Sequence, residues 1–291
     1  MTTAADLVNL VSEELHGWGI SQDRVTGLTN SILSTDFSFT VDAAFGPATG
    51  IQPGVVEIDS ELLYVSNVDP TSLICTVAPG FGRGYLGTVA AGHTAGAKIV
   101  SRPKFPRSQI FAEINNVLGS VFPELFKVTT ATLTVTYPVN SYVLPGSAAG
   151  VLDVQWQDYV GNWHTVRAYE LDMYDHSLKL AGGTPLGRPL RVTYMQEPAQ
   201  FTTEGDNYTI TGLPTSCLDV LTKGAASRMM IGVDVSRAQS SSVEQSARSR
   251  VVPPHAGMDA ANYLRAEFAE RLKSEAIGLR KLYPPRIVRR F

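Results

Sequence analysis

At 291 residues, 44% hydrophobic and 18% charged, the chain has globular composition and enough apolar surface to bury a core. A net charge of −3 excludes a general electrostatic glue for nucleic acid or anionic membrane. Two cysteines, Cys75 and Cys217, are too few for a disulfide framework or a metal cluster and read as small buried hydrophobes.

Residues 4–16 place Leu7, Leu10, Val11 and Leu15 on one helical face, stopped by Gly17 and Gly19. The N-terminus has no basic stretch followed by an apolar one. Nor does any apolar run approach the roughly 20 residues that span a bilayer. A soluble protein made in the cytoplasm is expected.

From 36 the period changes to two: Phe37, Phe39 and Val41 alternate with Ser38, Thr40 and Asp42. Runs at 55–59, 61–68 and 72–77 follow as short strands between Gly and Pro turns. Pro106 then suits the first turn of a helix striped by Ile110, Ile114, Val117, Leu118 and Val121 and closed by Pro123. Strands are expected again at 131–137, 141–144, 151–156, 164–169, 177–180, 190–194 and 208–211. Thr215 or Ser216 caps a helix with Leu218, Leu221, Ala225 and Met229 on one face. The polar stretch 236–250 reads as a loop or a helix extension, with a long exposed connection the favoured of the two.

The final segment is the most strongly patterned. Asp259 is a suitable N-cap, and Leu264, Phe268, Leu272, Ala276, Leu279 and Leu282 recur at three- and four-residue steps. They form one stripe along about six turns of helix. The other face is charged, with Glu267 and Arg271 at i,i+4 spacing. Pro284 and Pro285 end the helix. Beyond them Arg286, Ile287, Val288, Arg289, Arg290 and Phe291 mix cations with apolar groups, close to Arg280 and Lys281. Such a tail suits docking on a partner; a frayed terminus is the alternative.

The order helix, β unit, helix, β unit, helix, helix predicts an α+β fold. About four helices from 1–35, 102–125 and 214–291 would pack as a bundle. Two antiparallel β units would be inserted in it: a small barrel at 36–101 and a sandwich-like module at 126–213.

Candidate chemistry is sparse. Gly82-Arg83-Gly84-Tyr85-Leu86-Gly87 spells G-x-G-x-x-G, but the glycine-broken segment after it opens no helix and no βαβ unit surrounds it. The five histidines are scattered, and Asp172, Asp175 and His176 sit in what reads as a solvated turn. Glu57, Asp59 and Glu61 alternate, which predicts one water-facing side. No G-x-S-x-G elbow occurs. No catalytic residue, cofactor or metal is expected.

Three stretches stand out together. One is Arg102-Pro103-Lys104-Phe105-Pro106-Arg107-Ser108-Gln109-Ile110-Phe111-Ala112-Glu113-Ile114-Asn115-Asn116-Val117-Leu118, running into Phe122-Pro123-Glu124-Leu125-Phe126. The next is Tyr142-Val143-Leu144-Pro145 followed by Val151-Leu152-Asp153-Val154, and the third is Leu279-Arg280-Lys281-Leu282-Tyr283-Pro284-Pro285-Arg286. In this order they resemble phage head–tail adaptor (connector) proteins. Separately, Val56-Glu57-Ile58-Asp59-Ser60-Glu61 with Gly84-Tyr85-Leu86-Gly87-Thr88 and Ala91-Gly92-His93 is similar to a small β module recurring in phage virion proteins. Many adaptors are nearly all helical, and this chain departs from them in its β content.

The resemblance implies a structural virion protein at the head–tail junction: a ring, usually dodecameric, between the portal protein and a tail-side stopper or tail terminator. Double-stranded DNA would pass through it without sequence-specific binding. By the same resemblance Arg280, Lys281, Arg286, Ile287, Val288, Arg289, Arg290 and Phe291 would meet the portal. A tail or baseplate component whose β modules bind another tail protein or a host glycan is the alternative.

Overall fold

The structure, a computed structural model, describes residues 2–18, 23–42, 53–136, 141–166, 169–172, 174–180, 186–238 and 256–284. Among these it is mixed α+β, with four helices and three antiparallel sheets. The helices are α1 (Ala4–Gly17), α2 (Arg107–Ser120), α3 (Leu218–Ala238) and α4 (Ala256–Leu282). Contacts divide the chain into two compact units: Asp6–Ile114 with Ala225–Leu264, and Met1–Ala5 with Asn115–Gly224 and Arg265–Phe291.

The first unit holds strands β1 (Arg24–Gly27), β2 (Ser38–Thr40), β3 (Gly54–Ile58), β4 (Glu61–Asp69), β5 (Ile74–Val77) and β6 (Lys98–Ser101). They form one sheet in the order β1-β6-β3-β4-β5-β2. Its core gathers Leu28, Phe39, Val41, Val56, Ile58, Leu63, Val65, Cys75, Val77 and Ile99. The β-branched and aromatic content of these runs is what a pleated, half-buried surface takes. The sheet is not closed into a barrel: its edges meet at the Leu28–Val41 bridge, with no continuous ladder between β1 and β2. Strand β1 lies in a stretch where no strand is expected from the sequence. Its four residues carry too little periodicity to announce themselves, and pairing with β6 supplies the order. Helix contacts within this unit include Arg107 to Asn9 at 2.7 Å, Arg228 to Glu113 at 3.6 Å and the tilted ring pair Trp18–Tyr263.

The second unit carries β7 (Lys127–Thr134), β8 (Ser141–Val143), β9 (Gly150–Gln157), β10 (Trp163–Thr165), β11 (Tyr169–Asp172), β12 (Ser177–Leu180) and β13 (Pro189–Gln196). A four-stranded sheet, β10-β9-β13-β7, and a three-stranded one, β11-β12-β8, share one core. Tyr142, Tyr169 and Leu178 enter it from the smaller sheet, and Val154, Leu190, Val192 and Tyr194 from the larger. The expected strand at 208–211 is instead a 3-10 turn, Tyr208–Thr211, in which Asn207 caps the N–H of Thr209 at 2.9 Å. Tyr208 is buried there and its hydroxyl donates to Pro214 O.

Helix α4 begins at Ala256, so Asp259 lies in its first turn and not before it. Leu264, Ala276 and Leu279 of the stripe are buried, and Phe268 and Leu272 are partly covered. Leu282, one step further on, is 76% exposed. Glu267 and Arg271 each reach α3, Glu267 to Lys223 at 3.1 Å and Arg271 to Asp219 at 3.1 Å. Gly224 of α3 allows this approach, since a Cβ there would stand 2.9 Å from Val117 and 3.0 Å from the Phe268 ring. Helix α3 runs through Ser236 to Ala238, so these three residues extend the helix, the less favoured of the two readings for this stretch; 239–250 lie outside the described residues.

Candidate functional site

Two places gather unusual chemistry. The first is in the six-stranded sheet. The β3–β4 hairpin turns at Asp59 and Ser60, with Asp59 at φ 52°, a left-handed conformation that Asp tolerates. This turn corrects the expectation of a water-facing row. Glu57 and Glu61 stand on different strands of the hairpin, and both are buried. A period of two holds along one strand only, so the reversal breaks it. Glu57 accepts from the N–H of Arg107 at 2.6 Å, placing a carboxylate at the positive end of α2.

Glu61 is the centre of this first place. Its side chain is 1% exposed. It accepts from Arg83 Nε at 2.8 Å and Nη2 at 2.9 Å, and from the N–H groups of Gly84 at 2.9 Å and Ala91 at 3.0 Å. His93 Nε2 lies 2.9 Å from it, while His93 Nδ1 lies 2.8 Å from Asp59, whose carboxylate reaches solvent. Arg83 also donates from Nη1 to Leu33 O and Asp36 O, both at 2.7 Å, and from Nη2 to Ala91 O. One planar donor fork thus joins β4 to two loops, as only a guanidinium can.

The glycine pattern around Arg83 exists to deliver it. A Cβ on Gly82 would fall 2.5 Å from Ala78 O, and one on Gly84, at φ +60°, 2.6 Å from Thr88 O. The segment is therefore a tight backbone crossing that aims Arg83 inwards. Thr88 closes it, its hydroxyl accepting from Leu62 N–H at 3.0 Å and donating to Tyr85 O at 3.0 Å. The residues that carry the resemblance to a recurring β module, among them Glu61, Gly84, Thr88, Ala91 and His93, converge here. The motif is legible in the sequence; that it closes around one carboxylate is not.

Burial pushes the Glu61 carboxyl up, but the bonds from His93, Arg83, Ala91 and Gly84 outweigh it and hold the group down at about 2. Burial likewise lowers His93, and its bonds to Glu61 and Asp59 with their charges outweigh that and raise it. With a carboxylate against each ring nitrogen, both nitrogens of His93 are engaged, and its protonated form is favoured. Arg83 occupies the place beside Glu61 that a cation would take. The cluster is built to fix loops.

The second place is the end of α4. Arg280 Nη2 donates to Glu124 at 2.6 Å across an exposed pair, so this candidate docking cation is already engaged within its own unit. Lys281 is exposed, as are Ile277, Leu282 and Tyr283. Arg286, Ile287, Val288, Arg289, Arg290 and Phe291 lie outside the described residues. Elsewhere, the Asp172 carboxylate is turned onto its own loop, accepting from the N–H groups of Tyr174 and Asp175. Among the described residues no cluster of three or more His, Cys, Asp or Glu is arranged to hold a metal, and no helix is long and apolar enough to cross a membrane.

No protein-family model and no curated protein matches this chain.

Proposed function

We propose that the chain is a structural virion protein, a ring adaptor seated between the capsid portal and the tail. In this reading the four helices pack as a bundle, and the β units project from it as a barrel-like and a sandwich-like module. The observation that carries the proposal is the end of α4. A helix that buries Leu264, Ala276 and Leu279 leaves Leu282 76% exposed, with Ile277 and Tyr283 also in solvent, and leads directly into a cationic, apolar tail. Large apolar side chains at the end of a long helix are what a second chain covers. Arg286, Arg289 and Arg290 then meet acidic or polar portal surface while Ile287, Val288 and Phe291 fill pockets, with Lys281 at the rim. A net-acidic chain also suits a DNA conduit, because each neutralised phosphate would add salt-dependent affinity that slows passage. Copies form a ring, dodecameric by resemblance, with a stopper or tail terminator on the tail side.

Deleting 284–291 tests this. DNA-filled heads should fail to acquire tails while the truncated protein keeps its folded spectrum. Normal joining would reject docking through the tail.

A second reading, a tail or baseplate component that binds a tail protein or host glycan, is favoured by the β9–β10 region. Tyr159 is exposed with Arg188 4.0 Å above its ring, and Arg191 lies 4.2 Å over Trp163. Loss of glycan or tail-protein binding on Tyr159→Ala, with intact head–tail joining after tail deletion, would favour it.

A further inference from the structure

We infer that the outer edge of β7 is a strand-pairing surface, and that it takes the same edge of a second copy, antiparallel across a two-fold axis. This pairing is independent of the adaptor reading above and rests on hydrogen bonding and charge along one strand.

β7 is the exception among the strands that end a sheet. The others, β1, β2, β8, β10 and β11, have three or four residues each, and short edge strands are one way proteins keep sheets from pairing. β7 has eight, pairs with β13 alone, and keeps one register from Lys127 to Thr134 without a bulge. From Val128 to Thr136 the chain contains no charge and no proline. The usual guards of an edge are therefore missing from this one.

The direction of the backbone groups fixes which of them are open. Val135 N–H donates to Arg188 O, so the odd-numbered residues of β7 bond towards β13. Val128, Thr130, Thr132 and Thr134 point their N–H and C=O groups off the sheet, where they meet no partner among the described residues. Both ends of the edge are closed: Thr136 N–H donates to the Tyr142 hydroxyl at 3.2 Å, and Gly212 packs against the Lys127 side chain. The open window runs from 128 to 134, with Ala131 at its midpoint. A row of backbone donors and acceptors at strand spacing is a template for another extended chain.

A second copy fits this window with its own sequence. With the axis at Ala131, Thr130 of one copy lies opposite Thr132 of the other, and Val128 opposite Thr134. These are hydrogen-bonded pairs and add about eight N–H···O bonds in all. Thr–Thr pairs directly across an antiparallel ladder are favourable, and no like charges meet because the window has none. Thr130, Thr132 and Thr134 stay on the exposed face, while Ala131 and Leu133 continue the side packed on the core. The two four-stranded sheets become one. Such a contact uses a single face twice and does not extend into a ring, so it describes the free chain, and any ring contact lies elsewhere.

The test uses the full chain with Ala131→Cys. At the axis the two thiols stand in a non-hydrogen-bonded pair with Cα atoms about 4.5 Å apart, within disulfide reach. Mild oxidation should convert most of the protein to a covalent dimer. Thr129→Cys, whose two copies are well separated in this register, should stay uncrosslinked. The native Cys75 and Cys217 are buried and do not compete. No crosslink at position 131, or an equal one at 129, overturns the inference. As a second measurement, sedimentation equilibrium of the parent should show monomer and dimer. Thr130→Lys with Thr132→Lys sets lysines opposite lysines and should weaken the dimer at least tenfold; both positions are exposed, so the melting curve should not move. A parent that stays monomeric, or a dimer unmoved by the lysines, overturns the inference. So does a thiol at position 131 that crosslinks to a different protein alone.

Discussion

Arg83 and Glu61 meet fork to fork, Nε to Oε1 at 2.8 Å and Nη2 to Oε2 at 2.9 Å, with both side chains buried. Removing one partner of such a pair costs more than the pair contributes, because the other charge stays behind without compensation. Glu61→Ala should destabilise the first unit by about 3–5 kcal/mol, read by chemical denaturation. Arg83→Met, which also removes a clamp on two loops, should cost a comparable amount. A change under about 1 kcal/mol in either would mean the cluster is hydrated and the loops are held by other contacts.

The same cluster sets a pH window. Glu61 is depressed from 4.5 to about 2, so its contribution is full above pH 4.5 and is lost as the pH falls towards 2. His93 is raised above 6.5, so its contribution is full below pH 6.5 and is lost as the pH rises through its folded value. Both are intact between about pH 5 and 6, where denaturation midpoints should be highest. His93→Gln should flatten the alkaline side and, because the His93 bond is the largest one lowering Glu61, also weaken the acid side, which Arg83 and the N–H groups of Ala91 and Gly84 keep in part.

Gly82→Ala is a test of backbone crowding. The new Cβ would stand 2.5 Å from Ala78 O and 2.7 Å from Ala78 N, and neither can swing aside as a side-chain end would. A loss of about 2 kcal/mol or more is expected, together with increased protease cleavage in 78–92. Gly87→Asn, at a positive φ with nothing within 4 Å of the added Cβ, should cost far less.

Arg280→Ala separates stability from docking. The pair with Glu124 is exposed on both sides and should contribute about 0.5 kcal/mol or less. Thermal melts of this variant should therefore match the parent. On the proposed adaptor reading, head–tail joining that also matches the parent would mean that Arg280 itself makes no docking contact.

Periodicity exposes the long elements well. The stripe of Leu264, Phe268, Leu272, Ala276 and Leu279 is legible because each residue repeats the same local rule, and α4 forms where that rule says. Its start is less legible: Asp259 reads as a cap, yet the helix begins at Ala256, since an acidic residue is also favoured inside the first turn. Glu267 and Arg271 satisfy i,i+4 spacing and nonetheless reach α3, because Asp219 and Lys223 come within reach once the helices pack.

From the chain's own order of residues came the α+β class, the amphipathic helices, the strand-and-turn texture, and the Gly82–Gly87 and His93 motifs, all of which depend on neighbours a few positions apart. Tertiary structure alone decided that Glu57 and Glu61 are buried, that Glu61 receives both Arg83 and His93, and that Arg83 reaches the Leu33 carbonyl. Those facts depend on residues 22 to 50 positions apart meeting across a sheet. Hydrophobic period reports which side of one element is covered; it carries no record of which distant charge arrives to neutralise a carboxylate.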